Sequence, residues 1–70
     1  MERVSVSSSN IASVGHDDSS QTLEVEFLDG AIYEYYEVPE NVFQELVAAS
    51  SVGRYFAQQI KNVYSFSRAG

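Results

Sequence analysis

The stretch Thr22-Leu23-Glu24-Val25-Glu26-Phe27 alternates apolar and acidic side chains without a break, and it constrains the fold more than any other segment. Period two is the repeat of a strand with one face buried, so Leu23, Val25 and Phe27 face a core while Glu24 and Glu26 face away from it. Asp29-Gly30 ends the run, and Ala31 to Val38 resumes with Ile, Val and three tyrosines, which reads as the second arm of an antiparallel hairpin. The turn length decides which tyrosines are inside. A two-residue loop would put Ile32, Glu34 and Tyr36 on the core face. A three-residue loop, Leu28-Asp29-Gly30 with Gly30 left-handed and a G1 bulge, pairs Phe27 with Ala31, Val25 with Tyr33 and Leu23 with Tyr35. Burying Glu34 unpaired would cost several kcal/mol in order of magnitude, so the three-residue loop is expected.

The remaining elements follow from weaker patterns. Ile11 and Val14, followed by the turn cluster Asp17-Asp18-Ser19-Ser20, suit a short first strand. Pro39 is placed for the first position of a helix, where its missing N–H costs nothing, and Val42, Phe43, Leu46 and Val47 form an amphipathic stripe to about Ala49. Ser50 or Ser51 is positioned to cap a second helix, along which Val52, Phe56, Ile60 and Val63 or Tyr64 recur on one face. The expectation is an α+β domain over residues 1–70: a three-stranded antiparallel meander and then two helices on one face (β-β-β-α-α). Residues 1–10 are expected to form an irregular N-terminal segment and residues 65–70 a frayed tail. The expected core is Val14, Leu23, Val25, Phe27, Tyr33, Tyr35, Val42, Phe43, Leu46, Phe56 and Ile60.

Composition narrows the function classes. A chain of 70 residues buries only about 60% of the surface it exposes when unfolded, and with no cysteine it has neither disulfides nor thiolate metal ligands to help. The N-terminus has no cationic and then apolar leader, and no run approaches the roughly 18 apolar residues of a membrane span, so a cytoplasmic setting is expected and a membrane partner is not. The net charge is −6 but uneven: residues 1–45 carry ten acids and one base (−9), and residues 46–70 carry three bases, Arg54, Lys61 and Arg68, and no acid (+3). Nucleic-acid affinity rests on basic side chains displacing counterions, so only the C-terminal third is suited to it.

No catalytic or metal centre is legible. The Ser7-Ser8-Ser9 run lacks a nucleophile elbow, and His16 and Asp17, adjacent on a strand, point apart. A zinc site would depend on a single imidazole and carboxylates, and Asp17-Asp18 reads as a turn instead. Gly30 and Gly53 belong to no phosphate-cradling pattern, so no cofactor is expected. The conspicuous feature is Tyr33-Glu34-Tyr35-Tyr36. Its rings could stack bases, but in the chosen register Tyr33 and Tyr35 pack beneath the helices and Tyr36 stays on the outer face beside Glu34. Arg54 and Lys61, two helical turns apart, are expected on one face of the second helix, with Lys61 in a structural role, offsetting the acidic sheet or complementing the helix C-terminus, and Arg54 left open.

Several segments together resemble the KTSC domain: Ser8-Ser9-Asn10-Ile11, Val14-Gly15-His16-Asp17, Leu23-x-Val25-x-Phe27-x-x-Gly30, Tyr33-x-Tyr35, Val38-Pro39, Ala49-Ser50-Ser51-x-Gly53-x-Tyr55-Phe56 and Ile60-Lys61-x-x-Tyr64. The resemblance covers nearly the whole chain. It implies short bacterial or phage proteins, or a domain at the C-terminus of some lysyl-tRNA synthetases, for which an RNA-binding role has been suggested. Tyr33, Tyr35, Arg54, Tyr55 and Lys61 would inherit such a role. His16, Val52 and Ala57 depart from the family's usual tyrosine, lysine and asparagine, and the missing base beside Arg54 weakens the RNA reading.

The expected function is a non-enzymatic binding or interaction module with a protein partner. RNA or tRNA binding through the C-terminal helix and the Tyr-x-Tyr strand is the first alternative, and a small-molecule ligand the second. Candidate binding residues are Tyr33, Tyr35, Tyr36, Arg54, Tyr55 and Lys61.

Overall fold

The hairpin takes the register that keeps Glu34 out of the core. In the computed structural model, which describes residues 1–70, Leu23 lies opposite Tyr35, Val25 opposite Tyr33 and Glu24 opposite Glu34. Phe27 N donates to Ala31 O at 2.8 Å, Gly30 N donates to Phe27 O at 2.9 Å, and Gly30 has φ +95°, the conformation expected of a G1 bulge. Asp29 Oδ1 accepts from Ala31 N at 3.0 Å and fixes the loop.

Around this hairpin the chain runs β1 (Arg3–Ser5), β2 (Ile11–Asp17), β3 (Thr22–Phe27), β4 (Ile32–Tyr35), α1 (Glu40–Ala48), α2 (Val52–Gln59) and β5 (Phe66–Arg68). The sheet has five strands in the order β1-β2-β3-β4-β5, every neighbouring pair antiparallel, and not three. The expected irregular N-terminal segment contains β1, and the expected frayed tail contains β5. Both are three-residue edge strands with every residue exposed to solvent, and no alternation announces them. Backbone bonds to a neighbour hold the C-terminal one: Tyr36 N to Ser65 O at 2.9 Å, Ala69 N to Ile32 O at 2.7 Å and Ile32 N to Gly70 O at 3.0 Å.

Ile11 and Val14 are both fully buried although three residues apart on one strand. Strict alternation would send them to opposite faces. The register against β3 shifts between Ile11 and Ser13, and this bulge at Ala12 returns Ile11 to the core side. Ser13, on the other face, donates its hydroxyl to Glu26 Oε1 at 2.9 Å.

The helices cover one face of the sheet. Pro39 is the N-cap of α1 and not its first residue: its ψ of 155° is extended, and its carbonyl accepts from Val42 N at 3.0 Å. Ser51 caps α2, its Oγ accepting from Arg54 N at 3.3 Å. That helix stops at Gln59, where Ile60 N and Lys61 N both donate to Phe56 O and Asn62 turns to φ +69°. Ile60 is still buried, Tyr64 packs at the core's edge and Val63 is exposed.

The core differs in part from expectation. Val14, Leu23, Val25, Tyr35, Leu46, Phe56 and Ile60 are buried as expected, and Ile11, Ala31, Val38 and Val52 join them. Phe27, Tyr33, Val42 and Phe43 pack against this cluster but are only half-buried; for Phe27 and Tyr33 the reason is that two short helices leave part of a five-stranded sheet uncovered.

Candidate functional site

The uncovered part of the helix-bearing face is a cleft of about 650 Å³ beside α2. Its floor is aromatic because β3, β4 and β5 each direct alternate residues to this side: Phe27, Tyr33 and Tyr35, and Phe66. The rings interlock. Phe27 meets Tyr33 edge-on at 5.7 Å between centroids and Phe56 at 5.6 Å; Tyr35 meets Phe56 edge-on at 5.5 Å. Phe66 lies tilted against both Tyr33 (5.7 Å) and Tyr35 (5.4 Å) yet is 54% exposed, so it offers an apolar surface to solvent. Lys61 and Asn62, on the turn after α2, stand on the rim with Arg68 of β5, Asn10 and Asp29.

Tyr35 is the unusual member of the floor. It is only 4% exposed. The tyrosine hydroxyls that bond within the chain are those of Tyr36 and Tyr55, so the Tyr33 and Tyr35 hydroxyls have no protein partner. No fully buried side-chain nitrogen or oxygen is left unpaired, so the Tyr35 hydroxyl opens on the cleft. Burial, and secondarily the neighbouring Tyr33, raises its pKa above the ordinary phenol value and keeps it a donor.

Lys61 and Arg68 are also unpaired with any Asp or Glu side chain. The ion pairs of the chain are those of Arg3, with Glu24 at 3.4 Å and Glu26 at 4.0 Å on the opposite face of the sheet. Arg68 donates from Nε to Gly70 O at 2.9 Å, which orients its guanidinium and leaves its terminal nitrogens free.

The six sequence candidates do not form one site. Tyr33, Tyr35 and Lys61 meet in the cleft. Tyr36 is on the outer face, where its hydroxyl bonds Ser67 Oγ and, at 3.4 Å, Glu34 Oε1. Tyr55 joins the two helices through Glu45. Arg54 lines a separate polar groove with Ser7, Ser8, Ser9, Ser50 and Ser51. Because α2 ends before Lys61, Arg54 and Lys61 share no helix face; Lys61 directly follows the C-cap residue Ile60. Phe66 and Arg68 were missed because they sit in the segment read as a frayed tail; the one available signal was a base in a stretch without acids. His16 is structural: its Nε2–H donates to Val38 O at 2.7 Å and its ring stacks on Phe43 with centroids 5.4 Å apart.

An open sheet of this order with two helices on one face, and a cleft where they fall short, is shared with known proteins. The family model of the KTSC domain matches residues 7–64, and the chain belongs to that family. The crystal structure of a KTSC domain protein from Yersinia pestis superposes with a TM-score of 0.95 at 38% identity, covering 99% of this chain and 97% of that one. A protein of Stutzerimonas stutzeri, itself uncharacterized, is 49% identical over 61 residues, 87% of this chain and 86% of its own length. A lysine–tRNA ligase of Nostoc punctiforme is 37% identical over 58 residues, which are 83% of this chain but only 10% of the ligase.

Proposed function

We propose that this KTSC domain is a non-enzymatic binding module of the bacterial or phage cytoplasm whose ligand enters the cleft over β4 and β5. The observation that carries the reading is the Tyr35 hydroxyl, on a side chain almost wholly buried yet without a partner, opening on an apolar floor. A hydroxyl that is open to solvent at the edge of an apolar floor is a directional donor that a ligand acceptor can take over from water. The lining supports binding rather than turnover, since His16, the one imidazole, is engaged by Val38 away from the cleft. The test is titration of the isotopically labelled domain with indole, uridine and tyrosine amide, up to about 10 mM for weak site probes. Amide shifts confined to the cleft are expected. Shifts spread over the outer face, no shifts at all, or turnover of ester or phosphoester substrates would overturn the reading.

A second reading, RNA or tRNA binding, is favoured by the similarity to a segment of lysine–tRNA ligases and by Lys61 and Arg68 beside stackable rings. It requires micromolar tRNA binding that weakens with salt and is lost in Lys61→Glu plus Arg68→Glu.

A further inference from the structure

We infer that the cleft's ligand is a short acidic segment of a partner protein carrying an aromatic residue between carboxylates. This rests on the proposal that the cleft is the binding site, and it specifies the chemistry of the occupant. The floor of Phe27, Tyr33, Tyr35 and Phe66 removes an apolar side chain from water, and the T-shaped and tilted rings leave edges and faces for another aromatic ring. The Tyr35 hydroxyl, without a partner in the chain and open on the cleft, supplies a donor for an extended peptide's carbonyl. Lys61 on the turn after α2 and Arg68 on β5 complete the match. In a chain with ten acids these two bases have no Asp or Glu side chain within ion-pair distance, whereas Arg3 on the other face has two.

A polynucleotide fits the same charges less well. Two cations displace about two counterions, too few for the phosphate-driven affinity that a single strand needs. A peptide needs only one or two charge contacts around an aromatic anchor, and complementary rim charges then set its specificity.

The experiment titrates the labelled domain with the blocked pentapeptide acetyl-Asp-Asp-Phe-Asp-Asp-amide, the same peptide with alanine for phenylalanine, the same peptide with lysine for every aspartate, and pentauridylate. The acidic aromatic peptide is expected to shift the amides of Tyr33, Tyr35, Phe66 and Arg68, and each peptide control to bind at least about tenfold more weakly. Lys61→Glu plus Arg68→Glu, both at exposed positions, should keep the melting temperature and weaken the acidic peptide by about tenfold or more. Equal binding of the lysine peptide, or tighter binding of pentauridylate in the same cleft, would overturn the inference. If indole shifts the cleft and the acidic peptide does not, the inference fails while the binding site stands. If neither does, both fail.

Discussion

The Tyr55 hydroxyl donates to Glu45 Oε1 at 2.8 Å and ties α2 to α1. Burial, followed by the hydrogen bond and the charge of Glu45 and then by Tyr64, pushes the phenol pKa up to about 12 from its ordinary 10.0. A folded-state pKa above the unfolded value means that the bond's contribution is fully present below pH 10 and is lost as the pH rises through 12. Melting temperature should therefore fall across that window more steeply in the parent than in Tyr55→Phe. At neutral pH the variant should be less stable by about 0.5–1 kcal/mol, as expected for one partly exposed hydrogen bond. Parallel pH profiles for the two proteins would remove the bond from the account.

Glu24 and Glu34 face each other directly across β3 and β4 on the outer face, and Arg3 reaches Glu24 and Glu26 but not Glu34. Like charges in a directly opposed pair destabilise a sheet. Glu34→Lys should accordingly raise stability by about 0.2–1 kcal/mol in urea denaturation. The gain should shrink as salt screens the pair. A loss of stability would mean that the Tyr36 contact to Glu34 outweighs the repulsion.

Legibility in the sequence followed the amount of one-sided burial. Leu23, Val25 and Phe27 announce their strand because one face is core and the other acidic, and Gly30 then settles the hairpin register and the facing of Tyr33 and Tyr35. β1 and β5 are exposed along their whole length, so nothing in Arg3-Val4-Ser5 or Phe66-Ser67-Arg68 alternates, and only backbone bonds to a neighbour reveal them. Ile11 was weak for a different reason. Its three-residue spacing from Val14 makes sense only with the bulge at Ala12, which depends on the partner strand. The part of the cleft on β3, β4, α2 and the turn after it was therefore legible, with Tyr33, Tyr35 and Lys61 named as candidates, while Phe66 and Arg68 waited on β5 being placed beside β4.

Phe56 crosses both Phe27 and Tyr35 edge-on and is buried, so Phe56→Ala should cost about 3–5 kcal/mol, enough to unfold much of a domain this small. Tyr35→Ala should approach that cost. Tyr35→Phe should change stability by less than about 0.5 kcal/mol, because the hydroxyl removed has no partner in the chain to lose. Tyr33→Ala, at a half-buried position, should cost less than Tyr35→Ala. Equilibrium unfolding of the four variants checks the order; a Tyr35→Phe loss above about 1 kcal/mol would show that its hydroxyl is bonded after all.

Gly15 lies opposite Arg3 in the β1–β2 pair, and a Cβ there would come within 2.6 Å of Glu2 O and 2.9 Å of Arg3 Cγ. The first of these is backbone, so the clash is relieved only by moving the chain of β1 and not by rotating a side chain. β1 has little to resist this, since all three of its residues are exposed and its side-chain anchors are the Arg3 contacts to Glu24 and Glu26. Gly15→Ala should thus detach β1 while β2 to β5 stay folded, because the buried core that includes Val14 lies on the other face. Hydrogen exchange is the measurement, as it resolves local opening from global unfolding. Amides of β1 that bond to β2 should lose protection, those of Val25 and Tyr35 should keep it, and Arg3→Ala added to Gly15→Ala should have almost no further effect. Undiminished protection in β1 would show that its backbone sits farther from Gly15 than the pairing of Arg3 with Gly15 requires.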